Sequence, residues 1–321
     1  MFAKSLMALA VGLMLVAGSA SAEPSPALPR GVAPAEDGNA AFVAWTQNVM
    51  GVLERANRAS QPFLQMNFEA ESPEAARATL RNIAQQAATA RTELARARAE
   101  LQAMQPFTHR DAPPDSIRMS EILLRDSRSS VDNLDQLLAD MIEFVGAIER
   151  GDNAEANRLL PNLNRGAVLL MRAQATTLRA RQQLLDPATS TYHTVSGMAS
   201  MYDGMAAIGG SEADLPALES AINSIRASLI AERAALALER ITLANAHPNR
   251  AAIADLIQTR DQYAATNEQV MRAMNAAAQD IRSGAYNDEV SLEHLRALGL
   301  LELEYQRLAQ RQIEIYALLS E

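Results

Sequence analysis

The residues best suited to chemistry lie between Tyr192 and Met205, where His193, Met198, Met201 and Met205 alternate with Gly197 and Gly204. Thioethers are soft ligands that suit Cu(I), and a chain without cysteine has no thiolate to offer such a metal. His193 with Met198, Met201 and Met205 is therefore the candidate soft-metal set. Three methionines at spacings of three and four also describe the buried face of a short helix filled by an adaptable side chain, and core packing is the favoured account. The glycines, poor helix formers, mark this stretch for a hinge or an irregular crevice.

Arg91 and Arg233 form the second candidate. Each sits beside an apolar helical seam, where an arginine needs a partner, either a nearby carboxylate or a bound small anion. The other histidines, His109, His247 and His294, are isolated in sequence. None joins Glu-x-x-His or His-Glu-x-x-His, so the di-iron carboxylate bundle and the zinc peptidase helix are not encoded. Gly-x-Ser-x-Gly and the glycine-rich nucleotide loops are missing as well.

Composition shortens the list of chemistries further. No cysteine means no thiol nucleophile and no cysteine-ligated zinc or iron–sulfur site. The only lysine is Lys4, which removes P-loop and Schiff-base lysines from the rest of the chain. Aromatic residues are 4% of the total, too few to line a sugar cleft. A formal charge of −9 opposes nucleic acid or an anionic membrane as the main partner. No catalytic residue is assigned and no cofactor is implied; a protein or peptide partner fits best.

The elements that must position these residues are helical. Residues 1–22 read as an export signal: Lys4 supplies the positive start, Leu6 to Val16 the apolar run, and Ala20-Ser21-Ala22 the cleavage pattern. Residues 23–38, with Pro24, Pro26, Pro29 and Pro34, form a flexible leader. No later stretch reaches the roughly 20 apolar residues of a membrane span, so no transmembrane anchor is expected. Export is expected, with the periplasm as the destination and full secretion as the alternative.

From Asn39 the pattern is helical almost throughout. One helix covers about 40–63. A second starts at Pro73 behind a Ser72 cap and repeats Leu80, Ile83, Ala87, Ala90, Leu94, Ala97 and Leu101 along one face. Further helices cover about 115–149 and 153–186, with Pro161 expected to kink or restart the first turns of the latter.

The remainder repeats the plan. An offset of 142 lays Arg91, Leu94, Arg98 and Leu101 on Arg233, Leu236, Arg240 and Leu243, and an offset of 133 lays Met141, Ile148 and Gly151 on Met274, Ile281 and Gly284. The expected fold class is all-α, with two tandem antiparallel four-helix bundles, 39–187 and 188–321, related by an internal duplication. A single elongated helical bundle is the alternative. The expected role is that of an exported, non-enzymatic binding or scaffolding protein; the alternatives are small-anion binding at the seam arginines or Cu(I) binding at the methionines.

Overall fold

The computed structural model describes residues 41–56 apart from 43, 47, 50 and 54, and then 73–110, 112, 114–183, 185–210, 212–243 and 248–319. The signal at 1–22, the leader at 23–38, the Ser72 cap and His247 lie outside these residues. Among those described, every regular element is helical and none is a strand, so the chain is an all-α bundle. None of the described helices is long and apolar enough to cross a membrane.

In chain order the helices are α1 (within 41–56), α2 (Pro73–Ala103), α3 (Pro114–Glu149), α4 (Asn153–Gln182), α5 (Ser190–Gly209), α6 (Leu215–Leu243), α7 (Arg250–Ser283) and α8 (Asp288–Leu319). From α2 onward each packs against the next, and α5 also touches α7 and α8. Short connections enforce this neighbour-to-neighbour order, as in other bundles.

Two turns share one geometry. At Gly151 the chain takes φ +71°, Asp152 N–H donates to the Ala147 carbonyl at 2.9 Å, and Gly151 N–H donates to Ile148 at 3.0 Å. At Gly284 φ is +73°, with the same bonds from Ala285 to Asp280 at 3.0 Å and from Gly284 to Ile281 at 3.2 Å. This left-handed cap satisfies the last carbonyls of a helix and favours a residue without Cβ. All four positions correspond at the offset of 133.

The apolar faces form two large clusters. The first draws Val49, Val52 and Leu53 of α1, Ile83, Leu94 and Leu101 of α2, Leu134, Leu138 and Phe144 of α3, and Leu159 and Leu163 of α4. The second gathers Met171 and Leu178 of α4 around α5, with Leu218 and Ile225 of α6, Val270 and Met274 of α7, and Leu295 and Leu308 of α8. One helix, α4, thus carries both cores, its first half in one and its second half in the other. Pro161 does not interrupt it. Pro161 and Asn157 both face solvent, so water can take the Asn157 carbonyl that the proline cannot serve.

Candidate functional site

The methionines come together, but in a core. Met198, Met201 and Met205 are all buried on α5, in the same cluster as Met171 and Met274. The glycines between them do not make a hinge or a crevice, because α5 runs unbroken from Ser190 to Gly209. They let α7 approach instead. A Cβ on Gly204 would lie 2.2 Å from Cε of Met274, and one on Gly197 would lie 2.5 Å from Oδ1 of Asn267. His193 sits one turn into α5, half-buried, edge-on to Tyr192 at 5.2 Å and hydrogen-bonded to the Pro187 carbonyl. Burial lowers its pKa below the ordinary value. No group of three or more His, Asp or Glu arranged for a metal occurs among the described residues.

Arg91 and Arg233 are not brought together. Arg91 donates from Nε to Asp135 Oδ1 at 2.7 Å across the α2–α3 contact, and Arg98 reaches the other Asp135 oxygen at 3.1 Å. Burial pushes the Asp135 carboxyl up, but the two guanidinium groups outweigh it and hold it below the ordinary range. Arg233 is bonded to Glu268 and Arg240 to Asp261 across the α6–α7 contact. Of the two partners a seam arginine requires, the structure supplies the carboxylate. Asp135 and Glu268 themselves correspond at the offset of 133, while their arginines correspond at 142, so the same ion pair recurs in both halves.

A buried polar lattice in the second cluster escaped the sequence reading. Glu239 of α6 accepts from Ser190 N–H at 2.7 Å, from the Ser190 hydroxyl at 2.6 Å and from Arg260 at 2.6 Å, and Arg260 also donates to Tyr316 at 3.1 Å. Seven residues earlier, Glu232 accepts from the Thr194 hydroxyl at 2.6 Å and from Asn267 Nδ2 at 2.8 Å, while Tyr305 donates to Asn267 at 2.5 Å. On α8, Glu302 is fully enclosed and faces Tyr202 of α5 and its own neighbour Gln306. Neither Glu232 nor Glu302 meets a guanidinium as Glu239 does. Burial therefore dominates, pushing Glu232 up to about 7 and Glu302 up to about 8, against the hydrogen bonds that favour charge. A signal did exist. Glu232 and Glu239 continue the seven-residue line of Leu218 and Ile225, and Glu302 interrupts a three-four line through Leu295, Leu298, Tyr305 and Leu308.

The outer face of α6 is the most accessible unusual feature. Ile230, Leu238 and Ile241 are 68%, 65% and 73% exposed. With Ala227, Ala231, Ala234 and Ala237 they form one apolar stripe, spaced three and four apart. The opposite face is buried too, by Leu218, Ile222, Ile225, Leu229 and Leu236. The exposed arginines Arg226, Arg233 and Arg240 run along one edge of the stripe, which itself has no cover among the described residues. On α2, the positions 142 residues earlier than Ile230, Leu238 and Ile241 hold Ala88, Arg96 and Ala99, each exposed. The matching helix is finished for water where α6 is not. No protein-family model, curated protein or solved structure matches this chain.

Proposed function

We propose that this chain is a non-enzymatic binding or scaffolding module that docks a protein partner through the outer face of α6. The observation that carries this is the stripe Ala227, Ile230, Ala234, Leu238 and Ile241, a contiguous exposed apolar seam at the upper end of what monomers carry, where such patches are often functional. Binding is preferred to catalysis because Glu232, Glu239, Asn267 and Arg260 direct their hydrogen bonds at other helices, where they fix the bundle. Rigid helices also suit a docking face, since they lose little freedom when covered. The signal-like residues 1–22 add the reading that this docking takes place after export, in the periplasm.

The test is a photo-cross-linking residue at Ile241 in producing cells, compared with one at Ala99 on α2. A discrete adduct from position 241 and none from position 99 is expected. Equal, diffuse labelling at both positions contradicts a docking face.

A further inference from the structure

Resting on that docking reading, we infer that the occupant of the α6 face is a second copy of this chain, laid antiparallel about a two-fold axis beside Ala234. The apolar positions are symmetric about this residue. In antiparallel register Ile230 meets Leu238 of the second copy, Ala231 meets Ala237, Ile241 meets the small Ala227, and Ala234 meets itself. Large side chains at the flanks and alanines at the centre let the two helices approach closely at the axis, which a bulkier centre would prevent. An isologous two-fold contact of this kind is the commonest way for one chain to complete its own surface.

Size is consistent with self-association. Three branched side chains about two-thirds exposed, with the four alanines, amount to on the order of 500 Å² of apolar surface, near the top of what monomers carry. Two such faces together remove roughly 1,000 Å² from water, the lower limit of a specific interface.

Charge opposes it only weakly. Arg226, Arg233 and Arg240 flank the stripe about a quarter-turn from its centre, and in the pair these rows face each other. Arg233 and Arg240 are already bonded to Glu268 and Asp261 of α7, which offsets the like-charge contact. No charged side chain occupies the stripe itself.

Sedimentation equilibrium of the purified chain across the micromolar range tests the pairing. A concentration-dependent shift from one chain mass to two is expected, and Ile230→Glu, which places a carboxylate in the seam twice, should weaken it by at least about a hundredfold. Because Ile230 is exposed in the single chain, the variant should keep the parent's helix content, and its melting temperature where both are diluted below pairing. The cysteine-free sequence allows a second check. Ala234→Cys should oxidise to a disulfide-linked pair, whereas Ala227→Cys, about 20 Å from its own counterpart across the axis, should not. Disulfides at both positions indicate parallel pairing and overturn the proposal. So does a chain that stays at one mass throughout. If that monomeric chain still gives the adduct from position 241, docking stands with another partner; if it gives none, both readings fail.

Discussion

Thr194 has one hydroxyl proton and two acceptors, the Ser190 carbonyl at 3.1 Å and Glu232 at 2.6 Å. By donating that proton to Glu232 the hydroxyl favours the charged carboxylate, as Asn267 does at 2.8 Å, yet burial without a guanidinium partner outweighs both bonds and raises the Glu232 pKa to about 7. Glu302, more deeply enclosed, follows the same logic with Tyr202 and Gln306 as neighbours. The sign of the pH effect follows from where the proton sits. Between an ordinary 4.5 and about 8 the folded chain keeps a proton on Glu302 that the unfolded chain has released. Stability from this group is therefore complete below 4.5 and is lost as pH rises toward 8, by about 1.4 kcal/mol per pH unit. Glu302→Gln removes the titration, so urea unfolding should show the variant gaining on the parent by on the order of 1 kcal/mol per unit through this window. A difference that does not change with pH would contradict a proton held at Glu302. These glutamates were legible only in part. Their heptad spacing placed them near a seam, but whether they lie inside it depends on α5 lying against that side of α6 and α8. That is tertiary information no local pattern carries.

At the scale of elements, the sequence specified helix positions well where caps and periodicity agreed, as in α2 from Pro73 and α3 to Glu149. It misled where one residue type has two uses. Gly197 and Gly204 weaken an isolated helix, and that local cost argued for a hinge. In the bundle α5 is enclosed by four neighbours, and the same glycines give α7 room for Asn267 and Met274. Pro161 similarly argued for a kink or a restart, and α4 continues through it without restarting, with the Asn157 carbonyl it leaves unserved facing solvent. The two glycines should respond differently to a methyl group. In Gly204→Ala the obstacle is the flexible end of Met274, whose Cε and Sδ must both shift within the core, so the gain in helix propensity offsets part of the strain and the net cost is about 1 kcal/mol. Gly197→Ala must displace Asn267, which is tied to both Glu232 and Tyr305, and should cost about 2–3 kcal/mol in thermal or urea unfolding. Equal effects at the two sites would show that the Asn267 bonds do not hold α5 and α7 in register.

Across the whole molecule, the offsets of 142 and 133 carried more than apolar register. They place Arg91–Asp135 on Arg233–Glu268 and the Gly151 turn on the Gly284 turn. The seam arginines were visible in sequence, but their partners came from neighbouring helices 44 and 35 residues away, beyond the reach of spacing rules. What distinguishes the halves is the outside of α6, apolar where α2 is small or charged. The central claim, that this face is covered in the working protein, can be measured by the rate at which a thiol reagent labels Ile230→Cys in intact producing cells, against Ala88→Cys at the matching position of α2. Both positions are exposed in the single chain. A covered face predicts labelling at position 230 at least about tenfold slower than at position 88, with the two rates converging in denaturant. Equal rates in the native state would mean that the stripe faces water, and the docking account would fall.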